Sequence, residues 1–156
     1  MTVLMWASQN GHLNVVRFLV EHGGAAVNAA TTTDGMTALI WATMNSHLET
    51  VRFLVERGGA AVNAAQTDDG LTALLVASKK GHVELVRCLV ERGSANVNLA
   101  CAQRGRTPLM HAALRGHLDT VRLLLQHGAD RQLLSHSGKT ARALAKGHPL
   151  VQAALA

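Results

Sequence analysis

A 35-residue step runs through this chain. Thr2, Thr37, Thr72 and Thr107 sit on it, and so do Gly11-His12, Ser46-His47, Gly81-His82 and Gly116-His117. Val16, Val51, Val86 and Val121 keep the same step, as do the Arg-x-Leu stretches opening at Arg17, Arg52, Arg87 and Arg122. A fifth, shorter copy begins at Ser137-Gly138-Lys139-Thr140, where Thr140 falls 33 residues after Thr107. Self-similarity at this period belongs to arrays of small units, none of which can bury its apolar face alone.

One unit can be read residue by residue. Thr107-Pro108 has the form of a helix N-cap followed by proline at the first helical position. Leu109, Ala112 and Ala113 then recur at helical spacing until Gly116. Leu118, Val121, Leu124 and Leu125 share one face of a second helix, and Gly128 stops it. Leu13, Val16, Leu19 and Val20, closed by Gly23, repeat the pattern. Each unit is therefore expected to be a short helix, a tight turn, a second helix and a glycine-rich connector. Apolar residues make up 48% of the chain but aromatics only 3%. The core must then be filled by Ala, Val and Leu, which suits helices packed closely through small side chains.

The unit Thr107-Pro108-Leu109-Met110-His111-Ala112-Ala113, with Gly116-His117, Val121, Leu123-Leu124-Leu125 and Gly128-Ala129-Asp130, resembles an ankyrin repeat, and the resemblance covers nearly the whole chain. It implies an all-α solenoid of stacked antiparallel helix pairs, with hairpin-like loops projecting at right angles to the helices. The array divides into 1–33, 34–68, 69–103, 104–136 and a degenerate C-terminal cap at 137–156. Three connectors depart from the family pattern: Gly23–Thr37, Gly58–Thr72 and Gly93–Thr107 span 14 steps, against 12 for Gly128–Thr140. Their loops are expected to differ in shape and to reach further. Thr2 is already the threonine of a unit, so the first unit reads as truncated, and its open apolar face is expected to be covered by further sequence or by self-association.

The formal charge of +5 is uneven: residues 1–68 carry three Arg and five Asp/Glu, residues 69–156 twelve Lys/Arg and five Asp/Glu. A basic half suits an acidic partner or a solubilising surface. Cys88 and Cys101 form no CxxC pair and no even disulfide framework, so a reducing cytoplasm or nucleus is expected. Cys88 shares the register of Phe18, Phe53 and Leu123 and reads as a small core residue; Cys101 lies in a connector and is expected to be exposed. There is no signal peptide pattern, no run of about 18 apolar residues, no HExxH, no phosphate loop after a strand and no nucleophile motif. No catalytic, cofactor or metal-binding residue is assigned, and the chain reads as non-enzymatic. The resemblance implies that His12, His47, His82 and His117 are hydrogen-bonding groups between loop and helix.

Positions where the copies disagree are free to serve a partner. Before each Gly-His position stand Gln9-Asn10, Met44-Asn45, Lys79-Lys80 and Leu114-Arg115; before each threonine stand Met36, Leu71, Arg106 and Lys139. In the ankyrin pattern these resemble the concave face and the hairpin tips. Met36, Met44, Asn45, Leu71, Lys79, Lys80, Arg104, Arg106, Leu114 and Arg115 are therefore the candidate partner-binding residues. They run from apolar to basic, which suits a protein segment with an apolar part and an acidic part. Trp6 and Trp41, in register with Val76 and His111, suit either a binding anchor or packing between units. The alternative function is nucleic-acid binding, with Lys79, Lys80, Arg104, Arg106 and Arg115 on phosphates. Against it, Trp6, Phe18, Trp41 and Phe53 all lie outside the basic half, which leaves that half no stacking platform.

Overall fold

The computed structural model describes all 156 residues, and in it the threonine step becomes a row of helix starts. The helices are α1 (Val3–Gln9), α2 (Leu13–Glu21), α3 (Ala38–Met44), α4 (Leu48–Glu56), α5 (Ala73–Lys80), α6 (Val83–Arg87), α7 (Pro108–Leu114), α8 (Leu118–Gln126), α9 (Ala141–Leu144) and α10 (Pro149–Ala154). Helix α6 runs on into a π-helical stretch, Cys88–Arg92. Thr2, Thr37, Thr72, Thr107 and Thr140 are all extended N-caps whose hydroxyls accept from the backbone N–H three residues on. The distances at Thr37, Thr72, Thr107 and Thr140 are all 3.3 Å. Such a cap contributes about 1 kcal/mol, and only Thr107 adds proline behind it.

The odd-numbered helices pack on one another in sequence, α1 on α3 on α5 on α7 on α9, and the even-numbered ones form a second row behind them. Ala7, Ala42, Ala77 and Ala112, one per unit on the same step, are completely buried, as are Val16, Val51, Val86 and Val121. Small side chains at these points let neighbouring helices approach closely. Inner helices α1, α3 and α7 have seven residues where outer helices α2, α4 and α8 have nine.

Each connector ends in a hairpin closed by one backbone bond: Thr31 N–H to Met36 O, Gln66 N–H to Leu71 O, Cys101 N–H to Arg106 O and Ser135 N–H to Lys139 O. The first three tips enclose one residue more than the last. One of the two surplus residues in each long connector thus lies in the hairpin tip, and the other lies between the helix-stopping glycine and the hairpin. Successive hairpins are joined by single bonds, Thr67 N–H to Asp34 O and His136 N–H to Arg104 O, each 3.0 Å. Asparagines tie the connectors together as well. Asn28 accepts from Ala61 N–H and donates to Gly59 O, and Asn98 does the same with Asp130 and Gly128. Asn28, Asn63 and Asn98 fall on the 35-residue step, so this ladder is visible in the sequence once the repeat is aligned.

Burial differs between the first unit and the rest. Phe18 is 63% exposed and Phe53, one step later, 5%. The unit that precedes Phe53 covers it, with the Arg17 guanidinium 5.6 Å from the ring centroid. Val3, Trp6 and Val15 are exposed alongside Phe18.

Candidate partner-binding groove

The hairpins project beside the inner helices and leave a groove between them. Its first recess, about 490 Å³, is lined by Met44, Gln66, Leu71, Val76, Lys79, Lys80, Arg115 and His117. The second, about 300 Å³, is lined by Asp69, Leu71, Lys79, Cys101, Gln103, Arg104, Arg106, His111, Leu114 and Arg115. Leu71, Lys79 and Arg115 belong to both, so the two are one continuous trough. A third recess of about 370 Å³ continues it past Arg104 and Arg106 to His136 and Ser137.

Charge is distributed unequally between this groove and the outer helices. On the outer row, four arginines are matched, Arg52 with Glu49, Arg87 with Glu84 and Glu91, Arg92 with Glu56, and Arg122 with Asp119, while Arg17 stacks on Phe53 and Arg57 forms no ion pair. In the groove, Lys79, Arg104, Arg106 and Arg115 form no ion pair, and Asp69 is the one carboxylate lining it. Lys80 donates to the Met44 carbonyl and to Ser46 Oγ. Cations left unpaired in a concavity focus a positive potential there.

His111 lies at the floor of the second recess, 8% exposed, and its Nε2 has no hydrogen-bond partner. Burial, followed by the charges of Arg106, Lys79, Arg115 and Arg104, pushes its pKa down to about 4. The ring is therefore neutral at neutral pH. No three His, Cys, Asp and Glu side chains converge as metal ligands would.

A family model described as ankyrin repeats (three copies) matches residues 1–66 and, overlapping, 58–135. The chain belongs to the ankyrin-repeat family. Comparison with curated proteins found no match. Ankyrin repeats are in general protein–protein interaction modules, and no helix of this one is long and apolar enough to cross a membrane.

Of the ten residues singled out from the sequence, Met44, Leu71, Lys79, Lys80, Arg104, Arg106, Leu114 and Arg115 line the groove. Met36 and Asn45 do not. Met36 is a correction: it is 2% exposed, because its sulfur sits 2.7 Å from Gln66 Nε2 of the next hairpin. A neighbouring hairpin thus covers the side chain that a partner would have to touch. Asn45 is exposed, but its amide donates to the Trp41 carbonyl at the end of α3. Cys101 is a second correction. It is 4% exposed rather than open to solvent, because its hairpin folds it beneath the groove. Cys88 is buried as expected; burial and then the Glu56 charge raise its thiol pKa, which disfavours the nucleophilic thiolate.

Val76 and His111 enter the groove, whereas neither Trp6 nor Trp41 of the same register lines it; Trp41 packs against the core. His111, Gln66 and Gln103 are groove residues that the sequence reading did not select. For His111 a signal existed, a polar side chain in a register occupied by Trp, Trp and Val. As the resemblance implies, His47 and His117 bond from a turn to a helix, and the helix belongs to the preceding repeat. His47 Nε2 lies 2.9 Å from the Gln9 carbonyl and His117 Nε2 3.2 Å from that of Lys79.

Proposed function

We propose that this ankyrin array holds a partner protein by an acidic segment laid along the groove. Apolar residues of that segment rest against Met44, Leu71 and Val76, and carboxylates meet Lys79, Arg104, Arg106 and Arg115. The observation that carries this reading is the set of unpaired cations converging on one groove, whereas Arg52, Arg87, Arg92 and Arg122 of the outer row each have a carboxylate partner. Burying such cations against carboxylates supplies orientation and fast association more than bulk affinity. Two buried free cysteines fit the cytoplasm or nucleus as the setting.

The test is fluorescence anisotropy with short labelled peptides, Leu-rich at one end and Glu-rich at the other, against composition-matched Lys-rich controls. Saturable binding of the acidic set alone supports the reading; equal binding of both sets removes it. Nucleic acid is the competing ligand for the same cations, and the absence of Trp, Phe and Tyr from the groove lining disfavours it. The exposed Val3, Trp6, Val15 and Phe18 support one further reading, self-association through the first repeat, which sedimentation at rising concentration tests.

A further inference from the structure

The second recess of the groove is more specific than a basic surface. Three separate elements point cations at it: α5 through Lys79, the third hairpin through Arg104 and Arg106, and the turn after α7 through Arg115. Asp69 supplies the one opposing charge and Cys101 the remaining titratable wall. At its floor stands His111, more than nine-tenths buried, with Nε2 unpartnered. A buried polar atom without a partner costs stability, on the order of 1–3 kcal/mol, and a site that a ligand completes is one physical reason for it.

A single carboxylate would leave most of this positive charge unmatched. A phosphoryl group brings about −2 charge and three strong acceptor oxygens, which match arginine forks and an imidazole donor. We propose that the recess around His111 takes the phosphoryl group of a phosphoserine or phosphothreonine in the partner segment. This rests on the groove being the partner site. The adjoining recess argues for a peptide as the carrier. Met44, Leu71 and Val76 line it, and they offer aliphatic contact to a neighbouring side chain but no aromatic face to a base. The neutral state of His111 fits the same assignment. The four cations that depress its pKa are those an anion would neutralise, so occupancy should move that pKa upward.

The experiment compares three peptide libraries on the full chain, alike except for one central position fixed as phosphoserine, glutamate or serine. All carry Glu and Leu at random elsewhere. Binding is read by anisotropy, and the His111 ring is titrated by NMR with and without the phosphopeptides. The phosphoserine library should bind about tenfold more tightly than the glutamate library, a difference of about 1.4 kcal/mol. Arg106→Gln and His111→Val should erase that preference. Arg106→Lys, which keeps the charge and loses the fork, should keep only part of it and guards against a folding artefact. The His111 pKa should rise on binding.

Equal binding of all three libraries overturns the phosphoryl site and leaves the acidic-segment reading intact. Failure of all three to bind overturns both. A phosphoserine preference that survives in Arg106→Gln and His111→Val places the phosphoryl group elsewhere and overturns the assignment. So does a single-stranded oligonucleotide that outcompetes the phosphopeptides at the same salt.

Discussion

Ser46 Oγ and His82 Nε2 meet at 2.7 Å, side chain to side chain, at a junction where two other repeats put a histidine on a backbone carbonyl. At those junctions the preceding repeat has Gly11 or Gly81, at φ +69° and +75°, and a Cβ on either would lie 2.5 Å from a histidine ring nitrogen. Ser46 holds the same left-handed conformation, φ 64°, with a Cβ in place. The His82 ring therefore meets the hydroxyl, and the carbonyl of Met44, equivalent to those of Gln9 and Lys79, is taken by Lys80 Nζ instead. One substitution in one repeat is compensated by two side chains of the next.

Ser46→Ala removes the hydroxyl while keeping the strained backbone, and should lower stability by about 1 kcal/mol. Ser46→Gly also removes it, but relieves a left-handed conformation that costs a non-glycine residue about 1 kcal/mol or more and frees His82 to reach Met44 O. It should match or exceed the parent in thermal denaturation. A glycine variant less stable than the alanine variant would refute this account of the junction.

Phe18 and Phe53 occupy one register with opposite surroundings. Phe53→Ala should cost about 3–5 kcal/mol by leaving a cavity between repeats. Phe18→Ala in the monomer should cost well under about 1 kcal/mol. Urea denaturation of the two variants measures the difference. Comparable losses would mean that Phe18 is covered in solution, as self-association through that face requires.

His111 should make stability depend on pH. In the unfolded chain it takes up a proton near pH 6.5, and in the native chain only near 4. Between those values the unfolded state binds more protons, so this group's contribution is complete above about pH 6.5 and is lost as pH falls toward 4. The full loss is about 3 kcal/mol. His111→Val, which places the Val76 residue type in the same register, should lose less stability between pH 7 and about pH 4.5 than the parent. Parallel losses in urea midpoints would show that His111 does not titrate as stated.

Reversing groove and outer cations should have unequal effects on acidic-peptide binding. Lys80→Glu, Arg106→Glu and Arg115→Glu together should weaken it by at least about tenfold and flatten its dependence on salt. Arg87→Glu and Arg122→Glu on the outer row should leave both nearly unchanged. Equal weakening by the two sets would mean that net charge, and not the groove, attracts the ligand.

The repeat, the helix pairs, the threonine caps and the buried alanine and valine columns follow from sequence, because each depends on residues within a few positions or on a periodicity that every copy repeats. The basic character of the groove wall at Lys79, Lys80, Arg106 and Arg115 was legible for the complementary reason: against a repeating scaffold, these are positions where the copies diverge. Tertiary structure decided what depends on residues 30 or more positions away. Gln66 of the next hairpin encloses Met36, and the preceding repeat distinguishes Phe53 from Phe18. His111 joins cations from three elements only once the repeats are stacked. A solenoid makes local structure readable because every repeat obeys one local rule. Its sites arise between repeats, where burial and charge depend on which neighbour each residue meets.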